Sequence, residues 1–467
     1  MSLLPRTTAV GWLLLPLLIT SCYTARQYES PAEAIVTVDY FRTDSLLEDS
    51  VSLATVSWKA LFPDPYLQEY IQEGLDSNID IRVALRQIDI ADAYLAQAGL
   101  RNRPTLSGTL QYSRSELSKN SQFGAQFSTL NQYQLSGTLA WQADIWDKIG
   151  SAQRAQQALY LQSVAAHRAV KSRLVADIAS TYFDLLALDE QRRITQQTIA
   201  NRRNSLETIR ALKEAGNVTE VGVKQTEAQI YTAEGILVDL DNAVRLLENT
   251  LAILLGAEPR DFPRASLADQ RTDIPLTTGV PAELLANRPD LAAAELALVN
   301  AFELTNVARA DFYPSLNLSV TAGLQSLRFA DFFHPSSFFA TLVGGVTRPI
   351  FDQRQIKTAY AVSEIERDQT YLDFRSTFLT AVKEVSDALY NFSAAVDKID
   401  VKQREFQAYS LATEYSEELL ANGYANYLEV LTARENALNS QLGIIEARNN
   451  RLQAIVDLYQ ALGGGWE

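Results

Sequence analysis

The sequence predicts a mixed α and β fold: a long α-helical coiled-coil barrel continuous with a transmembrane β-barrel, four strands per chain, shared between protomers. Three observations predict it. The 467-residue chain is roughly two copies of one unit. Leu75, Asp80, Ala84, Ala91, Pro104 and Leu106 match Leu285, Asp290, Ala294, Ala301, Pro314 and Leu316 at a constant offset of 210. Further on, Val175, Gly216, Leu251 and Gly256 match Val382, Gly423, Leu458 and Gly463 at an offset of 207. That period is far longer than a solenoid repeat and reads as a duplicated half-domain. The second observation is two uncommonly long stretches, 151–215 and 353–422, that contain neither Gly nor Pro. The third is a short segment of regular apolar/polar alternation in each copy, with a less regular partner segment beside it.

The elements follow in order. After Arg6, the apolar run from Val10 to Ile19 is too short to cross a bilayer, which takes roughly 20 residues, and fits the core of a secretory signal over 1–21. Thr20 and Ser21 precede Cys22, the chain's one cysteine. Small residues before a cysteine resemble a bacterial lipobox, in which the cysteine becomes the acylated N-terminus. An ordinary signal peptide with an incidental cysteine is the plainer alternative. No later stretch reads as a membrane-spanning helix. Since one acyl chain alone anchors weakly, a second membrane element is expected.

Each copy then reads helix, two strands, very long helix, Gly break, helix. In the first copy, 75–256, Tyr133, Leu135, Gly137, Leu139 and Trp141 share one strand face, with Gln134, Ser136, Thr138 and Ala140 on the other. In the second, 283–462, Leu316, Leu318, Val320, Ala322 and Leu324 oppose Ser315, Asn317, Ser319 and Thr321. Partner strands fall near 104–112 and 338–348, where the alternation is less regular. Strands of about 9–11 residues suit a tilted bilayer crossing. Trp141 and Trp146 at one end, and Phe332, Phe333, Phe338 and Phe339 at the other, are placed like interfacial girdles. A soluble sheet with one wet face carries the same alternation; the lipobox favours the membrane.

The Gly- and Pro-free stretches could each extend roughly 100 Å as helix, and the returning segments 217–255 and 424–462 roughly 60 Å. Ile230, Ala233, Leu237, Leu240, Val244, Leu247, Leu251 and Leu254 recur at spacings of three and four. Leu438, Leu442, Ile445, Leu452, Val456 and Tyr459 follow suit, with Asn449 the polar intruder. Such a period demands left-handed helix packing. A plain coiled-coil rod would explain the stripes but not the strands. Four strands cannot close a barrel, and an unpaired edge in lipid costs several kcal/mol per orphan group. If they cross a membrane, copies of the chain must pool them, most simply in a cyclic oligomer.

Composition narrows the partners and the chemistry. The net charge is −15, so nucleic acid is excluded as a natural partner. One cysteine and two histidines, His167 and His334, cannot assemble a Cys/His metal cage. No catalytic residue, cofactor or metal site is expected, and there is no phosphate-binding glycine motif.

Several motifs then resemble the outer membrane efflux protein family, TolC-like ducts and more closely their lipidated OprM-like branch. They are the lipobox at Cys22, "WKALFPDPYL" from Trp58, "LDSNIDIRVAL" from Leu75, "GVPAELLANRPDL" from Gly279, "RPIFD" from Arg348, and the terminal "LYQALGGGW" ending at Trp466. The resemblance implies a homotrimer with a twelve-stranded barrel in outer membrane lipid and a twelve-helix tunnel in the periplasm. The tunnel would be fed by an inner-membrane RND-type pump through a periplasmic adaptor (membrane fusion) protein, exporting drugs or other small solutes. Type I polypeptide secretion, or a coiled-coil lipoprotein without a pore, are the alternatives. Segments 22–74, 257–282 and 463–467 would form an equatorial region and tail.

On this resemblance Gly216, Asn217, Gly423 and Tyr424 become hairpin tips where the adaptor docks. The periplasmic gate falls on Leu428, Glu429 and Thr432, and in the first copy on Val221, Gly222 and Gln225. Thr432 and Gly222 stand where the family often has Asp, which leaves Glu429 to supply an acidic ring. An ordinary solvated helix carboxylate is the alternative for Glu429, and simple hairpin packing for Leu428.

Overall fold

The computed structural model describes residues 25–31, 53–122, 124–126, 129–270 and 283–466. The expected signal segment and Cys22 lie outside the described residues, as do 271–282 of the inter-repeat segment. The helices longer than four residues are α1 (Pro65–Ser77), α2 (Ile79–Leu100), α3 (Lys148–Glu214), α4 (Glu220–Leu254), α5 (Pro289–Ala310), α6 (Gln355–Ala421) and α7 (Tyr427–Ala461). The strands are β1 (Thr105–Glu116), β2 (Thr129–Ala143), β3 (Ser315–Ser326) and β4 (Phe338–Thr347). The duplication is visible in these bounds. Helices α2 and α5 both have 22 residues, α3 and α6 both 67, α4 and α7 both 35.

The chain divides into two compact units. One comprises Met1–Ser30, Ile88–Gln162 and Ala294–Asp373, and contains the sheet. Its four strands are antiparallel in the order β1-β2-β3-β4, so β1 and β4 are edges. Register explains the alternation seen in the sequence. Leu106 pairs with Leu139, which pairs with Val320, which pairs with Leu342. Leu110, Leu135, Leu324 and Phe338 form a second apolar row. Residues two apart share a face, so one face of the sheet is an apolar ladder. Thr109, Ser136 and Gly323 run across the other, as do Ser107, Thr138, Thr321 and Thr341, with Thr138 and Thr321 hydroxyls bonded at 3.0 Å. The apolar face is open: Leu106, Leu110 and Leu342 are 77%, 79% and 69% exposed.

The strands, at 12, 15, 12 and 10 residues, outrun the expected 9–11 in three cases. The extra pairs, Ser113 with Gln132 through Glu116 with Thr129, are polar but for Leu130 opposite Ser115, and extend the first hairpin past its apolar band. Aromatic residues close both ends of that band. Trp146 stacks on Tyr313 at 4.8 Å and donates to the Pro314 carbonyl at 2.8 Å. At the far end Phe329, Phe332 and Phe333 cluster with Tyr133.

One expectation needs correcting. Helix α5 is long and apolar enough to cross a membrane by length and composition. Its polar side chains are nevertheless engaged inside the protein. Glu303 is 5% exposed and takes two bonds from Arg154, at 2.8 and 3.1 Å. Thr305 donates to the Ser363 carbonyl and Asn306 bonds the backbone of Arg26. The Glu303 bonds, joined by one from Arg154 to Asp147, raise the arginine pKa against the opposing effect of burial.

The second unit comprises Pro31–Gln87, Ser163–Ala293 and Phe374–Glu467. Its core forms where the helices approach, around Tyr182, Ile178, Leu185, Leu251, Leu255, Phe374 and Phe378, all less than 2% exposed. The predicted stripe of α4 is buried or half-buried throughout, from Ile230 to Leu254. Asn449, the polar intruder of α7, donates to Asp184 of α3 at 2.6 Å. Helix α1 is started by Asp64, whose carboxylate accepts from the amides of Tyr66 and Leu67 ahead of Pro65 at the first turn. The same carboxylate accepts the Tyr182 hydroxyl at 2.7 Å, and burial raises the tyrosine pKa far above its usual value.

The two copies meet the ends of their return helices in one way. After α4, Gly256 has φ +68 and its Cβ position lies 2.5 Å from the Ser77 carbonyl oxygen. After α7, Gly463 has φ +95 and the same approach, 2.5 Å, to that of Asn287. Asn78 donates to the Leu254 carbonyl at 2.8 Å, and its counterpart Arg288 donates to that of Ala461 at 2.7 Å. The "RPD" motif is therefore a structural latch in which Arg288 also holds Asp290 and Glu384.

Candidate functional site

The candidate site is the pair of hairpin tips, where α3 turns into α4 and α6 into α7. Both long helices stop in the same backbone motif. Gly216 has φ +80 and Gly423 φ +76, a region L side chains resist. The Gly216 and Asn217 amides donate to the carbonyls of Lys213 and Leu212, and those of Gly423 and Tyr424 to Leu420 and Leu419. These are the paired bonds of a Schellman cap. Helix α7 restarts under a side-chain cap. The Asn426 carbonyl oxygen accepts from the Glu429 amide at 3.2 Å, and its amide group donates to the Glu429 carboxylate at 3.3 Å. This is akin to the reciprocal arrangement of a capping box. Helix α4 starts at Thr219 with no side-chain cap bond.

Above the tips the hairpins are joined by a small core of Ile209, Val223, Tyr427, Val430 and Leu431, flanked by Leu206, Leu212, Val218 and Leu420. At its centre the Tyr427 hydroxyl and the Thr226 hydroxyl are 2.6 Å apart, both buried. Arg434 of the second hairpin reaches Ser205 of the first at 2.7 Å, while pairing with Glu417 of its own. Around this core the first hairpin is laced by ion pairs between its two helices: Lys213 with Glu220, Arg210 with Glu227 at 2.9 Å, and Arg203 with Glu234 at 2.7 Å. Hydrogen bonds from Lys224 and Arg210 hold the Glu227 carboxyl below the usual carboxylate range.

The sequence-predicted residues divide into two groups. Leu428 and Val221 are 57% and 63% exposed, and Glu429, Thr432 and Gln225 are exposed as well. Asn217, Gly216, Gly423 and Tyr424 are exposed at the turns, Tyr424 at 83%. Gly222 alone is buried. A Cβ there would stand 2.7 Å from Val218 and 3.4 Å from Tyr427, so this position serves hairpin contact. Thr432 returns its hydroxyl to the Leu428 carbonyl at 2.9 Å. Sequence reading missed Thr226, Tyr427 and Arg434. Extending the α4 stripe one turn toward the tip, from Ile230 to Thr226 and Val223, would have exposed a hydroxyl at a core position in need of a partner.

The comparisons agree with this architecture. The family model described as "Outer membrane efflux protein" matches residues 70–257 and 280–464. The antibiotic efflux pump outer membrane protein ArpC of Pseudomonas putida is 30% identical over 426 residues, covering 89% of this chain and 86% of ArpC. The cation efflux system protein CusC of Escherichia coli O6:H1 is 26% identical over 455 residues, 97% of each chain. Among solved structures, the outer-membrane channel OprN superposes with a TM-score of 0.87 at 21% identity, covering 95% of this chain and 100% of that one. With two family matches on the two structural copies, and the fold of an outer-membrane channel, the chain belongs to the outer membrane efflux protein family.

Proposed function

We propose that this outer membrane efflux protein is a passive duct: a homotrimer that pools its strands into one barrel and its hairpins into one tunnel, exporting drugs or other small solutes. The single observation that carries the reading is the sheet. It has an apolar ladder face and two unpaired edges, β1 and β4, and a sheet placed in lipid must leave no edge. Three chains would supply about twelve strands, enough to close around an opening.

In this reading an inner-membrane RND-type pump supplies the energy, a periplasmic adaptor docks at the turns of Gly216–Asn217 and Gly423–Tyr424, and the chain itself performs no catalysis. Cys22 carries the lipid anchor. The repeats are taken as 75–256 and 283–462, with 22–74 and 257–282 contributing the equator. Leu428 narrows the mouth. Glu429 stands one residue on, its carboxylate exposed beside its cap, and three copies set a negative ring that favours cations. Val221 and Gln225 line the same mouth from the first hairpin, and Thr432 lies one turn behind it.

The test is conductance of the purified full-length trimer in a planar bilayer. Channels with cation preference are expected, and Glu429→Gln should lower that preference several-fold without changing assembly. A particle that never conducts, or a preference untouched by Glu429→Gln, would overturn the duct or the gate assignment respectively.

A further inference from the structure

Between the two hairpins, about 14 residues above the Gly216 turn and so roughly 20 Å along α3, lies a groove of about 500 Å³. It is walled by α3 of the first hairpin and by α6 and α7 of the second. Arg202 lines it and is buried, being only 7% exposed. Its Nη1 donates to the Gln229 carbonyl at 2.6 Å, and among the described residues no carboxylate is ion-paired with it. The second cation of the groove, Arg434, spends its charge on Glu417. Glu435 and Arg434 act on Arg202 only through space and with opposite sign. Burial disfavours its charged form, as expected for a guanidinium withdrawn from water with no carboxylate in direct contact among the described residues.

The neighbouring wall supplies neutral donors. Asn201, Asn204 and Gln441 present side-chain amides and Thr198 a hydroxyl, none of them bonded to another described side chain. A buried cation with N–H donors to spare, beside amide donors and a water-accessible cavity, has the chemistry of an oxyanion receptor. Arg203, the next residue, offers a contrast. It lies on the outside of the hairpin and is already neutralised by Glu234 at 2.7 Å.

We infer that the groove between the hairpins at Arg202 binds a small oxyanion, a carboxylate or phosphate group of a periplasmic solute, one per chain. Bound there, the anion contacts Arg202 of the first hairpin and amide donors of both, and so ties the hairpins together above the tip core. The inference does not depend on the duct reading, since it concerns one chain's own groove.

Calorimetric titration of the full-length protein with sodium phosphate and with sodium acetate, against sodium chloride at matched ionic strength, tests it. Saturable binding of phosphate or acetate with one site per chain is expected, chloride giving none. Phosphate alone binding would assign a phosphate receptor and acetate alone a carboxylate receptor; both support the site. Arg202→Met should weaken binding at least tenfold, and Arg203→Met should leave it unchanged. Should Arg202→Met fail to fold, Asn201→Asp decides. That position is exposed, and its new carboxylate would occupy the place of the ligand and weaken binding by a similar factor. Phosphate and acetate behaving as chloride, or undiminished affinity in Arg202→Met or Asn201→Asp, would overturn the site.

Discussion

At the scale of residues, the best-defined side chain is Arg288. Its guanidinium is 9% exposed and bonds Asp290, Glu384 and the Ala461 carbonyl together. Asp290 and Glu384 are 40% and 45% exposed, so water would solvate them if the arginine were removed, but the Ala461 carbonyl at the end of α7 would lose its partner. Arg288→Met is therefore expected to destabilise the chain by about 2–3 kcal/mol, read by urea titration. Asn78→Ala, which removes the neutral counterpart bond to Leu254 and the cap over Asp80 and Ile81, should cost about 1–2 kcal/mol. Equal losses would argue against the charge of Arg288 adding to the latch. The motif "RPD" was legible as a family signature, but its job was not, because its partners Glu384 and Ala461 lie far along the chain.

At the scale of elements, four glycines end four helices with positive φ, yet their surroundings differ. A methyl group placed on Gly216 or Gly423 would meet nothing within 4 Å, whereas one on Gly256 or Gly463 would face a carbonyl oxygen at 2.5 Å. Alanine at Gly216 or Gly423 should cost about 1 kcal/mol, the backbone term alone. At Gly256 or Gly463 the same change adds a backbone clash and should cost at least about twice as much. Thermal unfolding midpoints should rank the four variants in that order. The breaks at Gly216 and Gly423 were readable from the sequence because Gly interrupts an otherwise unbroken helical run. The tip core was not, since Thr226 bonded to Tyr427 is a contact across 201 positions and leaves no local period.

At the scale of the whole molecule, the return helix α4 is apolar on two sides. Its inner stripe is covered by the chain itself, but Tyr231, Val238, Leu246 and Ile253 are 67%, 66%, 58% and 72% exposed at heptad-like spacing. Such a stripe on a 35-residue helix is what a second copy would cover. Val238→Glu with Ile253→Glu should leave the chain folded and lower the fraction of the proposed trimer in detergent by an order of magnitude or more, since each buried charge costs several kcal/mol. Mass measurement in solution checks this; an intact trimer would place the interface elsewhere.

By itself the sequence determined the duplication, the long hairpins, one clearly alternating strand in each copy and the family, because these depend on periodicity and composition, which are local and repeat along the chain. The tertiary structure alone decided which polar residues pair across hundreds of positions. It seated Gly222 against Tyr427, bonded Thr226 to Tyr427, and left Arg202 buried with no ion-paired carboxylate among the described residues. Local pattern cannot report such facts, since the free energy of a buried polar group is set by whatever other part of the chain folds beside it.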